Sequence, residues 1–325
     1  MPRKIKFAQA LAEAIDEVLA AEPKITLLGA GFGGLQGGQF FNPIREKYAA
    51  RIKYPPISEI GFSGIGVGAA MAGLRPIVDY GTATFSYEAI PQIINEAAIA
   101  YSNSGGQTSV PIIFHMLHGV RGAGGVQHSG SPQPWYWNTP GLQVAEPGSP
   151  ADVKGLFRWA ALKSKNPIVI LDHARLMEVE GEVPDGEYDI PFGQAEIKRQ
   201  GSDVTIVACG IQVPRALQAA ELLAGEGIQA EVVDPRSLQP LDKGTILTSV
   251  HKTGRVVVTD ESHDNCGVAA GLAAIIADEG FGSLKAPIKR VSTMAVPVPY
   301  AQPMEDYVTP SAERIAAAAR EVTGR

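Results

Sequence analysis

The sequence predicts an α/β protein of two domains, each built on a mainly parallel sheet. Three observations carry that expectation. The chain has 325 residues, enough for two domains of about 100–200 residues each. Its second half alternates short β-branched runs with amphipathic stretches, the pattern of βαβ units. Residues 178–200 form a polar stretch rich in Pro, Gly and acidic residues. It separates an expected domain over residues 1–190 from one over 191–325.

In order, residues 7–21 repeat apolar side chains at helical spacing, and 24–28 form a short β-branched run ending in glycines. Residues 57–73 read as a helix of mostly small residues. Its glycines cost about 1 kcal/mol each against Ala, which points to close approach of another backbone or a ligand. Residues 75–79 read as a strand, 85–100 as a helix and 110–114 as a strand. Residues 116–140 hold no periodicity and many Gly, Pro, His and aromatic residues, the mark of a long functional loop. Residues 152–163 read as a helix and 168–171 as a buried strand. Beyond the boundary, strands at 204–208, 229–233, 255–259 and 288–291 alternate with helices at 214–226, 243–252 and 267–279.

Composition narrows the functional classes. The chain is 45% hydrophobic and 19% charged, typical of a globular protein. Its net charge of −6 and lack of a basic run argue against nucleic acid or an anionic membrane as the main partner. Cys209 and Cys266 are too few for a disulfide framework, and no CxxC occurs. The N-terminal residues lead into an amphipathic pattern without a signal-peptide core, so a cytoplasmic location is expected.

Chemistry can sit in three places. Gly29-Ala30-Gly31-Phe32-Gly33-Gly34 matches GxGxxG after a predicted strand. A dinucleotide site, and hence a NAD-dependent oxidoreductase, also needs a helix at the last glycine and an acid about 20 residues on. Here Phe40-Phe41-Asn42-Pro43 is poor helix material, so a glycine loop lining a cleft is the preferred reading. Glu59 opens the small-residue helix and is the only charge between Lys53 and Arg75. It either complements the helix dipole at the surface or, among residues that read as buried, shares a proton near neutrality. His128 lies in the loop beside Ser129 and before Trp135 and Trp137, as a hydrogen-bonding or an acid–base group. His115 and His118 are weaker candidates, and no cluster has metal-ligand spacing.

Pro56-Ile57-Ser58-Glu59-Ile60-Gly61-Phe62, the run over 67–76, Gln127-His128-Ser129, Val233-Asp234-Pro235-Arg236 and Pro297-Val298-Pro299-Tyr300 stand in one order along the chain. Together they resemble the β subunits of the first component of 2-oxo acid dehydrogenases, which belong with the transketolase-like thiamine enzymes. The resemblance covers essentially the whole chain. It implies an N-terminal pyrimidine-binding parallel-sheet domain and a C-terminal transketolase-type α/β domain, with thiamine diphosphate as cofactor.

By the same resemblance, Glu59 bonds the aminopyrimidine ring and promotes the tautomer that removes the thiazolium C2 proton. Ile57 and Phe85 pack the ring, and His128 assists acyl transfer to a lipoyl arm. The family's Gly-Asp-Gly…Asn diphosphate–metal module is absent here. Mg²⁺ and the diphosphate are therefore expected on an α subunit, in an α₂β₂ heterotetramer with β–β pairing and docking to an acyltransferase core. The implied reaction is oxidative decarboxylation of a 2-oxo acid with acyl transfer to lipoyl-lysine. Acetoin cleavage and transketolase-type or carboligating chemistry are the alternatives within the same cofactor class.

Overall fold

The computed structural model describes residues 3–29 and 38–324. The rest of the glycine motif after Gly29 lies outside the described residues. The chain divides into two units, Met1–His118 with Trp135–Phe192, and Gly119–Pro134 with Gly193–Arg325.

In the first unit, parallel strands stand in the order Gln143–Ala145, Ile168–His173, Ile113–His118, Arg75–Thr82, Ile25–Gly29 and Ile52–Lys53. The strand Ile168–His173 is buried at every position, so it reads as a continuous apolar run rather than an alternation. Helix Phe7–Ala21 buries Phe7, Leu11, Ile15 and Val18 on one face and lies against helix Pro150–Lys163. Ser149 caps that second helix by accepting from the Asp152 N–H at 3.3 Å. Between the two helices the buried Lys154 ammonium meets Glu17 at 2.8 Å, and Arg158 reaches Glu17 at 2.8 Å. The polar stretch after the sheet contributes Glu180–Val183, which pairs antiparallel with Arg3–Lys6.

Several elements differ from the sequence expectation, among them strands Glu180–Val183 and Glu196–Arg199 inside the stretch read as a polar boundary. Residues Gly38–Lys47 form a helix despite Pro43, because Phe41 and Ile44 bury against the unit and outweigh weak propensity. The expected helix over 85–100 is instead a 3₁₀ segment Ala83–Ala89, a wide π segment Pro91–Ala98 and one turn Ala100–Asn103. Pro91 supplies no N–H to an α-ladder there. The strand expected at 110–114 runs instead over Ile113–His118. The expected loop thus begins later and also holds the helical turns Val126–His128 and Gln133–Trp137.

The second unit orders its strands Lys289–Thr293, Val256–His263, Val204–Ala208, Ala230–Asp234 and Glu196–Arg199. The first four are parallel and the last is an antiparallel edge. Ile206, Val232, Val257, Leu223 and Ile315 form its core. Helix Lys243–Thr253 starts at Asp242, whose carboxylate accepts from the Thr245 N–H at 3.0 Å. It stops at Gly254, whose φ of +71° is a left-handed cap that glycine adopts without a Cβ penalty.

Candidate active site

Glu59 is the first residue of helix Glu59–Met71, directly after Ser58. The N-terminal end of the helix dipole favours a negative charge at that position. One face of the helix lies on strand Arg75–Thr82 and buries Phe62, Ser63, Gly66, Val67 and Ala70. Gly66 is required there, since a Cβ would stand 2.6 Å from Val78 Cγ2. The other face is open. Ile60, Gly61, Gly64, Ile65 and Gly68 are exposed, so the run after Glu59 is half solvent-facing rather than buried as its sequence suggests. Apolar composition cannot distinguish a side facing the chain's own core from one left for a partner.

The Glu59 carboxylate is half-buried, and among the described residues it has no hydrogen-bond or ion-pair partner. Ile57 is 84% exposed and Phe85 37% exposed. One turn below Glu59, Ser63 Oγ lies 2.7 Å from the buried Tyr80 hydroxyl, whose ring makes tilted contacts with Phe62 and Phe114. Burial pushes the Tyr80 phenol well above its usual range. The charges of Tyr136 and Glu59 add to that rise, and the Ser63 bond opposes it. Tyr136 is itself fully buried and bonds Ser86, while Tyr87 stacks on Trp135 with centroids 4.6 Å apart.

A second polar group lies within the same sheet, across three neighbouring strands. His115 is buried between Asp172, 2.9 Å from Nε2, and Asp79, 3.5 Å from Nδ1. Burial alone would lower the His115 pKa. The Asp79 charge and the bonds to Asp172 and Asp79 outweigh it and raise the pKa to about 10. Asp79 also accepts the Gly81 N–H at 2.6 Å. Nearby, His118 Nε2 is 3.4 Å from Glu146, and its ring meets His173 edge-on at 5.0 Å. His173 Nδ1 accepts the Arg175 N–H at 3.0 Å. Sequence reasoning ranked His115 and His118 low and passed over Asp79 and Asp172. The available signal was acids at the ends of otherwise apolar strands.

His128 is exposed and belongs to the second unit, in the segment Gly119–Pro134. It closes the turn Val126–His128, with its N–H donating to the Gly125 carbonyl at 3.3 Å. The base of that segment is tied by the Gly119 N–H, which donates to the Gly130 carbonyl at 3.1 Å. The fold thus gathers Ile57, Glu59 and Phe85 in the first unit, and His128 is carried by the second. Among the described residues no group of His, Cys, Asp and Glu could hold a metal ion, and no helix is long and apolar enough to cross a membrane.

Comparison with known proteins adds a second, independent observation. Residues 3–178 match the pyrimidine-binding domain of transketolase, and residues 193–315 match the transketolase C-terminal domain. The chain is 41% identical to the mitochondrial pyruvate dehydrogenase E1 component subunit β-1 of Arabidopsis thaliana, covering 99% of this chain and 90% of that one. It is 40% identical to the β subunit of acetoin:2,6-dichlorophenolindophenol oxidoreductase from Cupriavidus necator, covering 99% and 98%. The corresponding Bacillus subtilis subunit is 36% identical over 100% of this chain and 98% of its own. Among solved structures, a split-gene transketolase, an inactive β4 tetramer, shares the fold with a TM-score of 0.81 at 24% identity over 98% of each chain.

Proposed function

This chain belongs to the transketolase-like family of 2-oxo acid dehydrogenase β subunits, and from that premise we propose that it forms the pyrimidine half of an active site that an α subunit completes. The observation that carries the reading is Glu59. A half-buried carboxylate at a helix N-terminus, with no partner among the described residues, stands in the same unit as the exposed apolar side chains of Ile57 and Phe85. That donor set fits the aminopyrimidine ring of thiamine diphosphate. The carboxyl suits a ring nitrogen, and the apolar groups suit the ring faces.

Bound thiamine diphosphate supplies the electron sink for loss of carbon dioxide from a 2-oxo acid. Glu59 holds the pyrimidine nitrogen and exchanges a proton with it, Ile57 and Phe85 exclude water from the ring, and His128 moves a proton during acyl transfer to lipoyl-lysine. No Gly-Asp-Gly…Asn module occurs in the sequence, which supports placing Mg²⁺ and the diphosphate on the α subunit. The open face of helix Glu59–Met71 supports burial against a further chain, as in an α₂β₂ heterotetramer with β–β pairing. A cytoplasmic assembly that docks to an acyltransferase core completes the reading.

Acetoin cleavage is the second reading, favoured by the full-length match to the acetoin-oxidising β subunits. The test is an assay of the chain assembled with its α partner. Pyruvate, branched-chain 2-oxo acids and acetoin are each offered with lipoyl acceptor. Turnover of a 2-oxo acid supports the first reading, and turnover of acetoin alone replaces it with the second. Binding of NAD by the isolated chain without thiamine dependence would remove both.

A further inference from the structure

We propose that Glu305 is a positioning residue for His128, holding the histidine's loop by the backbone rather than touching the reacting groups. Glu305 sits on the short helix Gln302–Val308 and is fully buried. Its Oε2 accepts the Gly122 N–H at 3.1 Å and its Oε1 accepts the Gly124 N–H at 3.3 Å. Two residues before Gly122, the Val120 N–H donates to Glu261 Oε1 at 2.8 Å, and Arg215 reaches the other Glu261 oxygen at 3.2 Å. Alternate amides at 120, 122 and 124 thus end on two carboxylates that lie far away in sequence.

The local backbone explains why these amides converge. Gly122, Ala123 and Gly125 have φ of +83°, +58° and +67°, so three of the four residues 122–125 take the positive φ that favours glycine. Backbone that changes hand in this way aims nearby N–H groups into a concavity that suits an anion. Here the anion is the chain's own Glu305 side chain. A buried carboxylate is costly unless bonded, and bonds from N–H to an ionised acceptor are roughly twice as strong as neutral ones. Ala123 pays the strain of a left-handed residue with a Cβ, and the Glu305 bonds on either side of it hold that geometry. The Gly119 N–H to Gly130 carbonyl bond ties the loop base on the far side of the turn Val126–His128. All of these groups lie in the second unit, the one that carries His128.

The inference rests on the role proposed for His128, and its test separates the two. Glu305→Gln is made in the assembled α–β enzyme, with Glu305→Asp as a second variant that keeps the charge but shortens its reach. Three quantities are read. They are amide hydrogen exchange at Gly122 and Gly124, acylation of a lipoyl domain, and reduction of 2,6-dichlorophenolindophenol as an acceptor that needs no lipoyl arm.

Loss of one charge-assisted bond should speed exchange at these amides by about tenfold, while strand Val204–Ala208 stays protected. The kcat for lipoyl acylation should fall about tenfold more than that for dye reduction. Unchanged exchange at Gly122 and Gly124 would overturn the clamp. An equal fall in both assays would overturn positioning in favour of a general structural role. Faster exchange with normal lipoyl acylation also overturns the inference. His128→Ala in the same assay then shows whether the histidine's own role has failed with it.

Discussion

His115 Nε2 and Asp172 Oδ2 stand 2.9 Å apart inside the first unit's sheet, on neighbouring strands and shielded from water. Asp79, on the strand to the other side, faces the second ring nitrogen at 3.5 Å. The two acids favour the protonated imidazole, which would link three neighbouring strands within the sheet.

The sign of its pH dependence follows from the raised pKa of about 10. A group that binds its proton more tightly when folded stabilises the fold fully below its unfolded pKa of about 6.5. That contribution declines as pH rises above 6.5 and is gone above about 10. Urea unfolding followed from pH 6 to pH 10 should show the decline, and His115→Ala should remove it. That variant should also lose about 3–5 kcal/mol near neutrality, because two buried carboxylates would face each other without their cation. A flat stability profile in the parent chain would show that His115 is neutral.

Glu59→Gln keeps shape and hydrogen bonding but removes the exchangeable acid. Proton exchange at the thiazolium C2 in the assembled enzyme should slow by about 10²–10⁴-fold, with the unfolding midpoint unchanged. Isotope exchange followed by NMR gives the rate. Parent-like exchange would take Glu59 out of proton transfer.

His128 is exposed on its turn, so His128→Ala should be tolerated by the fold. The variant should bind thiamine diphosphate as the parent does and acylate the lipoyl domain about 10²-fold more slowly. Single-turnover acylation together with cofactor titration distinguishes this from a cofactor-binding role. Normal acylation would remove the assigned role.

Gly66→Ala places a methyl group 2.6 Å from Val78 Cγ2 and 3.1 Å from Ile112 Cδ1. The helix must lift from the sheet, at a cost of about 1–3 kcal/mol. At Gly68, where a Cβ meets nothing within 4 Å, the same change should leave the isolated chain at least as stable. Thermal unfolding of the two variants side by side checks the contrast. In the assembled enzyme, Gly68→Ala should weaken assembly if that open face is buried by a partner, which sedimentation reads directly.

Much of this was legible in the residues. The alternation over 204–293 specified the four parallel strands of the second sheet, of which Val204–Ala208 and Ala230–Asp234 are buried at every position, but not the polar edge strand Glu196–Arg199. Helix ends were legible where capping chemistry is local, as at Asp242 and Gly254. Helix Gly38–Lys47 and the broken helix after Phe85 were not, since tertiary burial overrode propensity in one and a single proline broke the ladder in the other.

Of the candidate site, the sequence by itself marked Glu59 and its helix, because a lone acid opening a run of small residues is a local pattern, whereas Ile57 and Phe85 entered only through the family resemblance. Only the tertiary structure decided which side of that helix stays open, since an apolar residue reads the same against a core and against a missing partner. It alone placed His115 between Asp79 and Asp172, and Glu305 beneath Gly122 and Gly124. Those groups meet across strand order and long loop closure. Such distances are determined by how the sheets stack their strands and leave no trace in local spacing.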